Sequence, residues 1–108
     1  MFANLIVNAI EAMAPQGILH VRVSPTHNWA DGRAGVRVTI GDTGTGISKE
    51  ALGRIFEPFY TTKKDTGTGL GLWVSSGIVK KHGGSIRVRS RMNNEKHGTV
   101  FSIFLPRE

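Results

Sequence analysis

The chain has 108 residues, of which 39% are hydrophobic, and it contains no cysteine. This length fits one domain with one core. The lack of cysteine excludes disulfides, thiolate metal sites and a cysteine nucleophile. No apolar run approaches the ~18 residues of a membrane-spanning helix, and the N-terminus lacks the basic flank of a secretory signal. We therefore expect a cytoplasmic domain that meets a membrane only through other parts of a longer chain.

The net charge is +6, with 14 lysines and arginines. Basic residues at alternating positions of the predicted strands are expected to share one face of a sheet: His20, Arg22, Arg37, Arg87, Arg89 and Arg91. Because aromatic residues do not alternate with these arginines, as a base-stacking platform would require, we interpret this basic face as solvated. We expect no nucleic-acid partner, and a face that binds some other partner is the alternative.

Apolar residues at three-and-four spacing predict an amphipathic helix over residues 2–14, ended by Pro15 and Gly17. Its polar stripe consists of Asn4, Asn8 and Glu11. Alternating apolar residues then predict half-buried strands over 19–24 and 36–40, and the polar segment 25–35 between them predicts a loop.

Asp42 continues the even-numbered apolar positions of the second strand, so its carboxylate is expected on the buried face. An acceptor-only carboxylate in an apolar slot suits an exocyclic amine. Gly44 and Gly46 would leave room there for a flat ring. The alternative is an aspartate that caps a turn beside Gly44.

A short helix capped by Ser48 is predicted over 49–55. Residues 57–68 have little apolar content, which predicts a loop that closes on a ligand. Its Lys63 and Lys64 would supply charge for phosphates, or are ordinary surface lysines. Gly67, Gly69 and Gly71 then open a helix that ends at 82–84, and strands over 86–90 and 99–105 follow. A glycine run at a helix start aims free N–H groups at an anion, so these features together predict a nucleotide pocket.

Four ordered motifs carry a family resemblance. Residues 4–9, 42–47, 55–63 and 67–72 look like the N box, first glycine box, F box and second glycine box of bacterial sensor histidine kinases. The resemblance is to their catalytic ATP-binding domain, a member of the Bergerat-fold superfamily shared with gyrase, the MutL repair protein and heat-shock chaperone ATPases. It implies one domain over 1–108, an α/β two-layer sandwich with a mixed sheet and helices on one face, and a lid at about 57–68.

The family domain usually has a further strand and the beginning of the first helix before the N box. Only three residues precede Asn4 here. We therefore expect that the sheet lacks the family's first strand, that the chain is a fragment of a longer one, and that an exposed sheet edge allows self-association.

The resemblance also assigns the site. Asn8 would hold Mg²⁺ through its amide oxygen, Asp42 would accept from the adenine amino group of ATP, and Thr99 would support that contact. Phe56 and Phe59 would anchor the lid. The nucleotide-binding residues implied are Asn4, Asn8, Glu11, Asp42, Gly44, Gly46, Ile47, Phe59, Thr62, Gly67, Thr68, Gly69, Leu70, Gly71 and Thr99. The candidates for contact with the γ-phosphate are Arg54 and Lys63.

Gyrase-type relatives resemble one another in having a Glu where this chain has Asn4. An amide is not a general base at neutral pH, so the resemblance implies phosphoryl transfer to a histidine on a separate dimerisation domain, followed by a response regulator, with no general base in this chain. None of the four histidines here has the context expected of the acceptor. The alternatives are an ATPase that acts as a conformational switch, with Glu11 as base, and a non-catalytic nucleotide-binding module.

Overall fold

The computed structural model describes residues 2–13, 16–28, 31–57, 71–92 and 97–107, with the side chains of 2–4 outside the description. The elements are α1 (Phe2–Met13), β1 (Leu19–His27), β2 (Ala34–Asp42), α2 (Lys49–Leu52), α3 (Gly71–Lys81), β3 (Ser85–Met92) and β4 (His97–Pro106). The two long helices and all four strands lie where the periodicity predicts them.

The described strands form a four-stranded sheet in the order β1-β2-β4-β3. Every neighbouring pair in it is antiparallel, so the prediction of a mixed sheet is wrong for these strands. The helical connection from β2 to β3 does produce two strands that run in the same direction. However, β4 lies between them and runs opposite to both, which removes any parallel pairing.

The core lies between the helices and one face of the sheet, which confirms the two-layer sandwich. Leu5 of α1 and Val79 of α3 pack against the inward side chains of β2 and β4, and both are essentially inaccessible to solvent. The strand residues in this cluster are Val38, Ile40, Phe101 and Ile103. Their alternation along each strand follows from the period of two, which sends successive side chains to opposite faces.

Beyond Leu19, which packs against the core, the apolar side of β1 is uncovered, so the predicted half-buried strand is found only at its first residue. Val21 and Val23 pair with Ile40 and Val38 and therefore share the face of the core, yet they are 54% and 64% exposed. The helices make their main contacts with β2, β3 and β4. Because β1 is the outer strand, its apolar side chains extend past this helical layer.

The predicted loop over 25–35 is shorter in the structure, because β1 continues to His27 and β2 begins at Ala34. Pro25 fits in β1 because its backbone nitrogen, which has no hydrogen to donate, faces away from β2. The N–H of Arg107 donates to the carbonyl of Ala34, so even-numbered β2 residues direct their backbone groups to β4 and odd-numbered ones to β1. The register then directs odd-numbered β1 residues, including Pro25, to the free edge, where a missing N–H breaks no ladder bond.

Helix α2 ends at Leu52, before the predicted end at residue 55, and turns follow up to residue 56. The predicted cap is confirmed, since Ser48 Oγ accepts a hydrogen bond from the N–H of Ala51 at 3.1 Å. Phe56 then packs edge-on against Phe101, with ring centroids 6.4 Å apart. The proposed hinge before the lid is thus attached to the core, while the lid from residue 58 onward lies outside the described residues.

The sheet face opposite the helices carries the predicted basic residues. The register pairs His20 with Gly41, Gly41 with Val100, and Val100 with Arg89, which places the members of the row on one face. In the described part of the chain, the ion pairs are Arg33–Asp31 and Arg54–Glu57, and neither involves this face. No helix among the described residues is long and apolar enough to cross a membrane.

Candidate functional site

The site is built on one row of residues across the sheet. Asp42 at the end of β2 pairs with Thr99 of β4, and Thr99 pairs with Ser90 of β3. Directly paired residues have Cβ atoms about 5 Å apart on the same face. A carboxylate and two hydroxyl groups are thereby brought together on the helix side of the sheet, where Thr99 is only 5% exposed.

Asp42 is half-buried, in agreement with the face predicted for it. Its Oδ1 accepts a hydrogen bond from the N–H of Gly44 at 2.8 Å, so the turn-capping role is also present. Burial raises the pKa of the Asp42 carboxyl above its ordinary value, and hydrogen bonds from the backbone N–H groups of Gly44 and Thr99 oppose the rise. Because a carboxylate has about four acceptor positions, capacity remains for a further donor.

Ser90 joins the three segments around this row, a role that sequence reasoning missed. Its Oγ accepts from the N–H of Ile47 at 2.6 Å, donates to the carbonyl of Gly98 at 2.9 Å, and lies 2.8 Å from Thr99 Oγ1. Ser90 continues the inward positions of Ile86 and Val88, so the alternation that placed Asp42 could have placed Ser90 on the same face. Its partners, however, follow only from the register that pairs it with Thr99.

The loop after β2 is held on both sides. The N–H of Thr45 donates to the carbonyl of Ala12 at 3.3 Å, near the end of α1. On the other side, His97 Nδ1 lies 2.6 Å from the carbonyl oxygen of Gly44. Since a carbonyl only accepts, Nδ1 carries the proton in this contact. The loop is thus fixed between α1 and the first residue of β4.

Gly44 and Gly46 are needed for close packing within the protein, which differs from the reason inferred from sequence. A Cβ on Gly44 would meet Ala12 of α1 at 2.8 Å. A Cβ on Gly46 would collide with the carbonyl oxygen of Arg91, and Gly46 also has a φ of 85°. The space that the two missing side chains would fill is therefore occupied by α1 and β3 and is not open to a ring.

A pocket of about 630 Å³ adjoins the row, within the range of small-molecule sites. Its lining includes Asp42, Ser90, Thr99 and His97, together with the apolar Leu52 and Val88. Arg89, Arg91 and Val100 line it as well, so the pocket combines the acceptor-rich row with two basic residues and apolar walls.

The other predicted site residues lie on α1, after α2, at the start of α3 or outside the described residues. Asn8 lies half-buried on α1, Glu11 is exposed on the same helix, and each has an interaction partner. Arg54 pairs with Glu57 at 3.3 Å. Gly71 is the first residue of α3. The remaining candidates fall outside the described residues or, for Asn4, outside the described side chains: Asn4, Phe59, Thr62, Lys63, Gly67, Thr68, Gly69 and Leu70.

Comparison with known proteins assigns the fold and family. Residues 1–108 match the family described as histidine kinase-, DNA gyrase B- and HSP90-like ATPase. The chain is 42% identical over 103 residues to the sensor histidine kinase ZraS of Escherichia coli strain K12, a match that covers 95% of this chain and 20% of ZraS. The chain thus spans about a fifth of this relative.

Solved structures agree with this assignment. The mycobacterial sensor histidine kinase MprB superimposes with a TM-score of 0.80 at 30% identity, covering 95% of this chain and 67% of that one. Full-length ShkA, solved in complex with AMPPNP, gives a TM-score of 0.76 at 29% identity over 98% of this chain and 21% of that one. At these identities and scores, the sandwich described above is the fold of histidine kinase ATPase domains.

Proposed function

Because the chain belongs to the histidine kinase-, DNA gyrase B- and HSP90-like ATPase family, and its relatives identify it as a protein-histidine kinase catalytic domain, we propose that it binds Mg·ATP and donates the γ-phosphoryl group to a histidine on a separate dimerisation domain. A response regulator would receive the group afterwards in two-component signalling. The full-length protein, its partners and its signal belong to this proposal as well.

The observation that carries the nucleotide proposal is the half-buried Asp42 beside the buried Thr99 at the end of the pocket. A carboxylate that burial makes costly to ionise is stabilised by a donor brought by the ligand. The 6-amino group of adenine is such a donor, and the apolar Leu52 and Val88 suit the faces of its ring. The nucleotide complex of ShkA supports the same ligand class.

We propose that Asn8 holds a magnesium ion that is shared with the phosphates. Among the described residues, no group of three or more His, Cys, Asp or Glu side chains could hold a metal. Mg²⁺ takes hard oxygen ligands and is commonly bound through one or two protein groups plus substrate phosphates, and the amide oxygen of Asn8 is such a group. When bound, the ion would neutralise phosphate charge.

The other proposed groups would bind the phosphates and hold them in position. The first turn of α3, beginning at Gly71, presents backbone N–H groups toward an anion, and the glycine run before it belongs to the same proposed phosphate site. Arg54 and Lys63 are proposed to contact the γ-phosphate. Catalysis of phosphoryl transfer by such groups relies on alignment and charge stabilisation.

Calorimetric titration with AMPPNP, in the presence and absence of Mg²⁺, tests the binding proposal. We expect Asp42→Asn to weaken binding at least tenfold, about the loss of one charge-assisted hydrogen bond, and Asn8→Ala to remove the gain in affinity that Mg²⁺ produces. Asp31→Asn is the matched control, since Asp31 pairs with Arg33 in the hairpin between β1 and β2. Unchanged affinity in Asp42→Asn would exclude Asp42 from the base site.

ATP turnover by the chain alone distinguishes transfer from hydrolysis. We expect little hydrolysis, because Asn4 stands where a general base would be needed. Sustained hydrolysis that disappears in Glu11→Gln would favour the ATPase switch. Absence of any nucleotide binding would favour the non-catalytic module.

A further inference from the structure

We infer that Ser90 is a positioning residue for the base, one that makes the site prefer a 6-aminopurine to a 6-oxopurine by holding Thr99 as a hydrogen-bond acceptor. The inference rests on the proposed nucleotide function and extends it to a residue outside the four sequence motifs. The adjacent hydroxyl groups of Ser90 and Thr99 have one proton each, and the Ser90 proton has another acceptor.

Ser90 has one hydroxyl proton and three close partners. The contact with the Gly98 carbonyl, at 2.9 Å, requires that proton, because a carbonyl only accepts. The contact with Ile47, at 2.6 Å, is donated by the Ile47 N–H. The remaining contact, 2.8 Å to Thr99 Oγ1, must therefore use the proton of Thr99.

Thr99 consequently donates its only hydroxyl proton to Ser90, and the free positions on its Oγ1 are lone pairs. Its neighbour in the row, Asp42, is an acceptor as well when ionised. Asp42, Ser90 and Thr99 all line the same pocket. Within the pocket, the row formed by Asp42 and Thr99 thus presents acceptors on two adjacent strands.

This arrangement distinguishes purines at position 6. An amino group brings donors to the free lone pairs of both acceptors, whereas an oxo group brings a third acceptor and leaves the free lone pair of Thr99 Oγ1 facing it without a donor. Buried polar groups without a partner produce much stronger discrimination than a change of size does.

Removing the Ser90 hydroxyl would free the Thr99 proton to turn toward the ligand. The Thr99 hydroxyl could then donate to a 6-oxo group, so the penalty against that base falls. A role confined to holding the loop at Ile47 would instead weaken both kinds of nucleotide by the same factor.

The test is calorimetric titration with ADP and with IDP, both with Mg²⁺, since their bases differ at position 6 and in protonation of the adjacent N1. We expect wild type to prefer ADP, and Ser90→Ala to lower the ratio of IDP Kd to ADP Kd by about threefold to tenfold, the value of one hydrogen bond. Ser90→Thr keeps a hydroxyl and is expected to retain the ratio. Ser85→Ala, on the opposite face of the same strand, is the control and is expected to leave it unchanged.

If Ser90→Ala does not fold, Thr99→Val tests the same inference. Thr99→Val should lower the ratio of IDP Kd to ADP Kd by a similar factor. The double variant with Ser90→Ala should show no further change in this ratio. A preference for ADP that is the same in Ser90→Ala as in wild type overturns the inference while the proposed function stands, as does equal weakening of both nucleotides. Wild-type chain that binds neither nucleotide overturns the proposed function and this inference together.

Discussion

Replacing Gly46 with alanine tests whether the loop after β2 is shaped by packing. Gly46 has a φ of 85°, where an L-residue costs about 1–2 kcal/mol. Its new Cβ would also collide with the Arg91 carbonyl of β3, and overpacking of this kind costs about 1–3 kcal/mol. Together these terms predict a loss of about 2–5 kcal/mol in the free energy of unfolding, or roughly 10–30 °C in Tm for a domain of this size.

Two other glycines separate the contributions. Gly32 has a φ of 71°, and apart from its chain neighbours no atom of the described residues lies within 4 Å of the place that its Cβ would take, so Gly32→Ala should lose only about 1 kcal/mol from backbone strain. Gly77 lies inside α3 with open space around it, so Gly77→Ala should gain about 0.5–1 kcal/mol. Urea denaturation followed by circular dichroism measures all three. If Gly46→Ala is no less stable than Gly32→Ala, contact with Arg91 does not explain the glycine.

Three further predictions concern stability without nucleotide. The raised pKa of Asp42 means that the folded chain binds this proton more tightly than the unfolded chain does, so the resulting stability is present at acidic pH and is lost as the pH rises from 3.8 through the folded pKa. The Tm of Asp42→Asn should therefore rise relative to that of wild type between about pH 4 and pH 7. A difference in Tm that stays constant over this range would contradict the prediction. Ile103→Ala should cost about 2–5 kcal/mol in urea denaturation, because Ile103 is fully buried, whereas Ser102→Ala beside it should cost far less. Ser48→Ala should cost about 0.5–2 kcal/mol through loss of its bond to the N–H of Ala51, and an unchanged unfolding midpoint would show that α2 does not depend on this cap.

Local sequence determined the elements. The apolar spacing of Leu5 and Ala9 placed α1, and the alternation of Val38 and Ile40 placed β2, because both patterns depend only on the period of the backbone. The same alternation predicted that the Asp42 side chain lies on the buried face. The ordered motifs added the family, and the comparisons confirmed it.

Only the tertiary structure decided how these elements meet. The antiparallel order arises because β4 lies between β2 and β3, and no local pattern records which strand occupies that place. The exposure of Val21 depends on where the helical layer ends. Likewise, Ser90 becomes part of the site through its register opposite Thr99 and its bond to Ile47, which is 43 residues away in sequence. Periodicity reports which way a side chain faces, whereas its partners are set by long-range pairing.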